Sequence, residues 1–137
     1  MPERSRAVRV VLLTVQARYK SHHVTIIYKI CERAAWREAE HSRVYRGSDA
    51  DRGDGFIHFS TATQLAGTAA KHFAGQSDLM LVAVDAANLG ATLKWEPSRG
   101  GELFPHLYGL LSLDAVRWAK ALPDEVDGRR TLPELAP

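Results

Sequence analysis

The chain has 137 residues, which is enough for one domain of ordinary size and too few for two. Hydrophobic residues make up 45% and charged residues 25%, a balance typical of globular proteins. A single cysteine, Cys31, excludes an internal disulfide framework and a zinc site built on several thiolates, and it suits a reducing, cytoplasmic location.

The formal net charge of +2 is unevenly distributed along the chain. Residues 1–23 contain five basic residues and one acidic residue, whereas the remainder contains 13 basic and 15 acidic residues. Because a nucleic-acid-binding protein usually carries its basic excess on the folded domain, this distribution argues against duplex nucleic acid as a partner.

Residues 1–23 begin with basic residues and include a short apolar run at 10–13. This run is shorter than the apolar core of a typical signal peptide, about 7–15 residues, and far shorter than the roughly 20 residues that cross a membrane. We therefore expect residues 1–23 to be a disordered extension or a mis-called start, with no membrane association. The single domain is then expected at 24–123, followed by a loosely ordered tail at 124–137.

Within the domain, hydrophobic patterning and turn residues predict the elements in chain order. Strands are expected at 24–30, 44–45, 56–59, 79–84, 93–95 and 117–122. Two main helices are expected at 32–41 and 61–73, with single helical turns at 85–90 and 112–116 and polar loops at 43–55 and 96–109. The absence of an alternating strand–helix rhythm favours an α+β fold with a mixed or antiparallel sheet.

The second helix has the clearest boundaries. Thr61 and Gln64 match the capping-box pattern, in which each side chain binds a free amide of the first helical turn. Gly75 is well placed to follow the end of this helix.

The strand before this helix presents two candidate functional residues. Side chains alternate across a strand, so His58 and Ser60 share one face while Ile57 and Phe59 share the other. His58 is either a hydrogen-bonded structural residue or a catalytic one. Ser60 and Thr61 either cap the helix or join its free amides in an anion or ribose site.

The loop at 96–109 is rich in functional groups. Glu102 follows two glycines that would allow close approach to a ligand, and a carboxylate there could act as a base or stabilise positive charge. Arg99 could hold a phosphate through its planar guanidinium. His106 is a further catalytic candidate, and it shares a face with Tyr108 if the segment is extended. Solvated or structural roles remain open for all four.

Two classes of site have no signature in the sequence. There is no GxGxxG or P-loop pattern, so Rossmann-type and Walker-type nucleotide binding are not indicated. His22 and His23 lie outside the domain, and no other histidines or carboxylates have a familiar ligand spacing, so we expect no metal.

Several blocks resemble the small bacterial family called domain of unknown function 952. They include "IYKI", "DGFIHFST", "AAKHFAG", "LVAVDAANLG" and "LKWEPSRGGELFPHLYG". The resemblance extends from about residue 26 to residue 122, and "DGFIHFST" and "SRGGELFPHLYG" are its most specific parts.

The resemblance implies a fold similar to the ADP-ribosyltransferases, in which a split sheet holds NAD in a cleft. It implies that Glu102 orients a ribose hydroxyl and stabilises an oxocarbenium-like transition state. It also implies that Ser60 and Thr61 support the nicotinamide ribose, with His58 facing the same cleft. Tyr28 or Lys29 stands at the first-strand position where the related families have an Arg or His, which is a departure from their pattern.

Three hypotheses follow from these residues. The first is a transferase that uses NAD or a related nucleotide, with its acceptor undefined. The second is a noncatalytic module that binds a nucleotide, ADP-ribose or a protein in the same cleft. The third is a 2H-type phosphoesterase, because His58 and Ser60 fit its H-x-[ST] motif, although the segment from His106 to Tyr108 does not supply the second copy.

Overall fold

The computed structural model describes residues 24–135. The strands in this part of the chain are β1 (Ile26–Glu32), β2 (Val44–Tyr45), β3 (Ile57–His58), β4 (Leu79–Asp85), β5 (Leu93–Pro97), β6 (Leu103–Leu107), β7 (Leu111–Ser112) and β8 (Val116–Leu122). The α-helices are α1 (Arg33–Ser42), α2 (Asp49–Asp54) and α3 (Ala62–His72), and short 3-10 helices cover Ala86–Thr92, Arg99–Gly101 and Leu113–Ala115. The expectations for residues 1–23 lie outside the described residues.

The strand pairs are antiparallel, and the sheet is divided. β1, β4 and β8 form one part in the order β1-β4-β8, while β3, β6 and β5 form another in the order β3-β6-β5. A single bridge joins the two parts, where Tyr28 and Ser60 exchange backbone hydrogen bonds of 2.8 and 2.9 Å. β2 and β7 form a separate two-stranded ribbon. The predicted α+β class with antiparallel sheets and few helices is confirmed.

The core lies on both faces of the sheet because β1 is buried on both sides. Ile27 and Cys31 pack in one cluster with Trp36 of α1, whereas Tyr28 and Ile30 pack in a second cluster with Leu65 of α3. This alternation follows from the two-residue period of a strand. It places α1 and α3 on opposite faces of the β1-β4-β8 part of the sheet.

The predicted capping box of α3 is present. The Gln64 amide donates to the Thr61 hydroxyl at 3.3 Å, and the Gln64 side chain accepts from the Thr61 amide at 3.0 Å. The second half of the 96–109 segment differs from the predicted loop, because Leu103–Leu107 forms β6. Pro105 lies in this central strand opposite Trp95 of β5, and its carbonyl accepts from the Phe59 amide at 3.0 Å.

The C-terminal segment, which we expected to be a loosely ordered tail, makes several contacts with the domain. Leu132 and Leu135 pack against the α3-side cluster, and the Tyr28 hydroxyl donates to the Leu135 carbonyl at 3.1 Å. The Arg130 guanidinium donates to the carbonyls of Phe73 and Gln76 at 2.9 and 3.1 Å. Residues 124–135 therefore extend the fold over the end of α3.

Candidate functional site

A cavity of about 950 Å³ opens where the two parts of the sheet diverge. Its lining comes from β1, from the face of α1 that carries Ala35 and Ala39, from α2 and the loop before it, and from β3, α3 and β6. This volume is within the range of small-molecule and cofactor sites, about 300–1,000 Å³.

Asp51 is part of the wall of this cavity and bridges the two parts of the sheet. Its side chain is 2% exposed. One carboxylate oxygen is 2.7 Å from the Lys29 ammonium of β1. The other accepts from the backbone amide of His58 at 3.1 Å and contacts the His58 ring nitrogen Nδ1 at 2.6 Å. Asp51 thus connects the strands that separate beyond the Tyr28–Ser60 bridge.

The position of Asp51 follows from a local sequence pattern. Ser48 and Asp51 form a capping box at the start of α2, with the Asp51 amide donating to the Ser48 hydroxyl at 3.1 Å and the Ser48 amide donating to Asp51 at 2.9 Å. Gly47 lies directly beside this carboxylate with φ +97°, and a Cβ there would be 2.9 Å from that of Asp51. Only glycine fits that combination of backbone angle and close approach.

The buried pair of Asp51 and Lys29 is ionic. Burial by itself would raise the pKa of Asp51, but hydrogen bonds from His58, the charge and hydrogen bond of Lys29 and the Ser48 amide outweigh it and hold that pKa well below its usual range. Burial lowers the pKa of Lys29, and the Asp51 carboxylate opposes that shift. The Lys29 ammonium lines the cavity, but it is already engaged by Asp51.

His58 lies between two carboxylates. Its Nδ1 faces Asp51 and its Nε2 is 2.9 Å from an Asp54 oxygen, while about a third of its side chain is exposed. A neutral imidazole has only one N–H, so this ring donates to both acceptors only as the imidazolium cation. Asp54 also lines the cavity and is 58% exposed, so its carboxylate contacts solvent in addition to the His58 ring.

A second histidine lies beside the first. His106 is the register partner of His58 across β3 and β6, and the two ring centroids are 5.6 Å apart. His106 is stacked on Phe56 at 4.0 Å, and its Nδ1 is 2.9 Å from Glu96. The Tyr108 hydroxyl donates to the same Glu96 oxygen at 2.7 Å.

Arg99, from the 3-10 helix Arg99–Gly101, lies against the wall formed by α3 with its guanidinium held in place. The Arg99 guanidinium lies 4.9 Å from the centre of the Phe104 ring and against Gly67, where an added Cβ would be 3.0 Å from it. It also donates long hydrogen bonds of 3.4 Å to the Gln64 carbonyl and the Thr68 hydroxyl. Thr68 is in turn 2.7 Å from the Ser60 hydroxyl.

Charge is divided between the walls of the cavity. All of its lining carboxylates lie within residues 32–54: Glu32, Glu38, Asp49, Asp51 and Asp54. From residue 58 onward the lining contains Lys71, Arg99 and three histidines and no carboxylate. Burial, followed by the charges of Lys71 and Arg99, lowers the pKa of His72. The wall formed by α3 is therefore basic.

Comparison with known proteins identifies the family. Residues 30–119 match the family model described as "Protein of unknown function (DUF952)". The chain belongs to the DUF952 family. A crystal structure of protein CC0527 from Caulobacter crescentus is 48% identical, with a TM-score of 0.75 over 78% of this chain and 94% of that one. Its solution NMR structure is also 48% identical, with a TM-score of 0.68 over 75% and 89%. Among curated proteins there is no match.

This DUF952 structure brings six of the predicted site residues to one cavity: Tyr28, Lys29, His58, Ser60, Arg99 and His106. The other three do not line it. Thr61 caps α3, Tyr108 binds Glu96 at the edge, and Glu102 is exposed between the 3-10 helix Arg99–Gly101 and β6.

The sequence-based predictions did not single out the carboxylates that contact His58 and His106. Asp51 and Asp54 fall in a segment that we expected to be a polar loop, and Glu96 falls at the start of another. The available signal was Ser48 followed three residues later by Asp51, a capping pattern that marks a helix start.

Two further classes of site find no support in residues 24–135. No group of three or more His, Cys, Asp or Glu side chains there is arranged to hold a metal ion. In the same part of the chain, every helix is too short or too polar to cross a membrane.

Proposed function

We propose that this protein binds a nucleotide of the NAD type in the divided-sheet cavity and transfers its ADP-ribosyl group, or a related nucleotide fragment, to an acceptor. The observation that carries the proposal is the division of the sheet at the Tyr28–Ser60 bridge, which opens one large cavity with a basic wall and an acidic wall. A split sheet around a nucleotide is the arrangement expected of an ADP-ribosyltransferase-like fold.

The basic wall suits the diphosphate of the nucleotide. Arg99 has no carboxylate partner within the described residues, and Phe104 and Gly67 hold its planar guanidinium in place. Such a group forms paired hydrogen bonds with phosphate oxygens at little entropic cost, because its orientation is already fixed. Lys71 adds a second positive charge to the same wall.

The chemistry requires little covalent participation by the protein. The bond between ribose C1′ and the nicotinamide nitrogen breaks, and its electron pair leaves with nicotinamide. The positive charge left on the ribose is quenched when the acceptor attacks C1′ and loses a proton. A fixed carboxylate near C1′ stabilises that charge, and such electrostatic stabilisation is commonly the largest contribution to catalysis.

Asp54 is better placed than Glu102 to be this carboxylate. The resemblance assigns the role to Glu102, but that residue is exposed and does not line the cavity. Asp54 lines the cavity, is held by the His58 ring at 2.9 Å and remains exposed to it. We therefore assign charge stabilisation to Asp54 and positioning of Asp54 to His58.

The test is an NMR titration of the isotope-labelled full chain with NAD, with free nicotinamide measured by chromatography. We expect amide shifts at His58, Ser60 and Arg99, and release of nicotinamide over hours. Arg99→Met should weaken binding by about tenfold or more, since a hydrogen-bonded charge is worth about 1.5–3 kcal/mol. Arg37→Met is the matched control, because Arg37 is exposed and lies outside the cavity lining.

Two carboxylate variants then decide the catalytic assignment. Asp54→Asn should lower nicotinamide release by about 10²–10³-fold, whereas Glu102→Gln should leave it unchanged. The reverse result would restore Glu102. Binding without nicotinamide release would leave the noncatalytic module, and the absence of shifts at millimolar NAD would overturn the proposal.

One observation favours a second candidate. His58 and His106 are adjacent in register and each has a carboxylate on Nδ1, so a carboxylate orients each ring of a possible acid–base pair. Hydrolysis of a 2′,3′-cyclic nucleotide that is lost in both His58→Gln and His106→Gln would establish this activity. Its absence would remove the candidate.

A further inference from the structure

The acidic wall of the cavity contains a buried hydroxyl without a hydrogen-bond partner. Tyr45 lines the cavity and is 2% exposed, yet its phenolic oxygen contacts no donor or acceptor within residues 24–135. Burial of a hydroxyl without a partner costs roughly 1–3 kcal/mol, so native proteins rarely leave one unless water or a ligand satisfies it.

The position of this hydroxyl is fixed by the fold. Tyr45 is paired with Leu111 in the β2–β7 ribbon, and its ring packs against Trp36 of α1 at a centroid distance of 6.0 Å. Burial raises the pKa of Tyr45, so the hydroxyl stays protonated and able to donate. A donor held in this way is preorganised for a ligand.

The surroundings of Tyr45 favour a flat, neutral or cationic group. Ala35 and Ala39 are the small apolar residues that α1 contributes to the lining, and they offer an apolar surface to a flat ring. The lining within residues 28–54 has five carboxylates against three basic side chains, Lys29, Arg46 and Arg52. Lys29 is paired with Asp51 and Arg52 is paired with Asp49. This excess of negative charge attracts a cation and repels phosphate.

We propose that the Tyr45 hydroxyl binds the carboxamide of a nicotinamide ring seated against α1, so that the nucleotide lies with its pyridinium toward α1 and its diphosphate toward Arg99 and α3. This inference rests on the proposed function, and it adds the orientation of the ligand and the residue that selects its ring. The cationic pyridinium then faces the acidic wall, and the anionic diphosphate faces the basic wall.

The experiment measures binding of three probes to the full chain by calorimetry. The probes are carba-NAD, in which a carbon replaces the ribose ring oxygen so that the glycosidic bond is not cleaved, ADP-ribose, which lacks nicotinamide, and 1-methylnicotinamide. Tyr45→Phe should weaken carba-NAD and 1-methylnicotinamide by about 3- to 10-fold, the effect of one neutral hydrogen bond, and leave ADP-ribose unchanged. Since no protein hydrogen bond is lost, the melting temperature should be equal or higher.

Trp118→Phe is the matched control. Trp118 carries the other buried polar atom without a partner in the described residues, and it lies outside the cavity lining. Its substitution should leave all three affinities unchanged.

Three results would overturn the inference. In the first, Tyr45→Phe binds carba-NAD and 1-methylnicotinamide as tightly as the wild type, which would mean that water alone satisfies the hydroxyl. It could instead weaken ADP-ribose equally, which would place Tyr45 at the other end of the ligand or in a structural role. The third is a wild type that does not bind 1-methylnicotinamide at all.

Failure of the proposed function has a different signature. It would appear as no binding of either carba-NAD or ADP-ribose by the wild type. If 1-methylnicotinamide still bound, and bound more weakly to Tyr45→Phe, the ring subsite would stand without the nucleotide function.

Discussion

The molecule contains the same chemical pair twice, with burial reversed. In the pair of His58 and Asp51 the carboxylate is 2% exposed and the histidine 36% exposed. In the pair of His106 and Glu96 the histidine is 6% exposed and the carboxylate 36% exposed. The partners also differ, because Asp51 additionally holds a buried lysine while Glu96 additionally holds the hydroxyl of Tyr108.

This difference determines which carboxylate the fold depends on. Asp51 pairs with the buried Lys29 ammonium and ties β1 to β3, so its loss leaves that cation without its counter-ion. Glu96 lies at the edge strand, where water can replace its contacts. The pair of Asp51 and His58 therefore stabilises the fold and orients His58 in the cavity. In the second pair, Glu96 mainly raises the pKa of its neighbour Tyr108.

Asp51→Asn should have the largest effect of the substitutions considered. It leaves the Lys29 ammonium buried without its counter-ion, and breaking such a pair typically costs about 3–5 kcal/mol of unfolding free energy. The measurement is urea denaturation at neutral pH. A double variant with Lys29→Met should be less destabilised than the sum of the single variants, because it removes both charges. Additive losses would show that the ion pair is not what holds the divided sheet together.

The same variant should change the acid dependence of stability. The pKa of Asp51 is lowered in the folded state, so its stabilising contribution is fully present above the usual aspartate pKa of about 4. That contribution is lost as the pH falls below that value toward the folded-state pKa. The slope of stability against pH on the acid side should therefore be smaller in Asp51→Asn than in the wild type.

How far the sequence predicts the fold depends on whether a feature is local. The capping box at Thr61 and Gln64 is predicted from residues three positions apart, and the structure contains it. The alternation that puts His58 and Ser60 on one face is likewise a local pattern. The bridge between Tyr28 and Ser60 joins residues 32 positions apart, and nothing in either segment indicates that pairing.

The site shows the same limit. Asp51 reaches Lys29 and His58 only because α2 fills the gap between two strands, and a helix of six residues has too weak a periodicity to be seen in a polar segment. Choosing between Glu96 and Glu102 requires the hairpin register, in which Glu96 pairs with Phe104 and lies next to His106. The two glycines before Glu102 predict close approach to a ligand, but they do not fix which carboxylate faces the histidine.

Gly67→Ala should have an intermediate effect, a loss of NAD affinity at the basic wall of the cavity. The added Cβ would meet the Arg99 guanidinium at 3.0 Å and displace it from α3. Ala is about 1 kcal/mol better than Gly inside a helix, so the variant should be more stable while binding NAD several-fold more weakly. Gly53→Ala in α2 is the matched control, because a Cβ there meets nothing within 4 Å. Equal NAD affinity in the two variants would mean that the pose of Arg99 does not matter.

Glu96→Gln should have the smallest effect, a change in the pKa of Tyr108 with no change in folding. The hydrogen bond to Glu96 is the main cause of the raised pKa of Tyr108. The variant should return that pKa toward its usual value of about 10, as measured by the NMR signal of the labelled tyrosine ring. His106 should keep its position, since Phe56 and the β3–β6 register hold it independently of Glu96. Changes in stability with pH should appear at both extremes, because the raised pKa of Tyr108 contributes stability that is lost in alkaline solution and the lowered pKa of Glu96 contributes stability that is lost in acid, below the usual glutamate pKa of about 4.3. If Glu96→Gln instead unfolded the protein near neutral pH, the exposed carboxylate would be as important for folding as the buried one. Burial would then not explain why Asp51 stabilises the divided sheet.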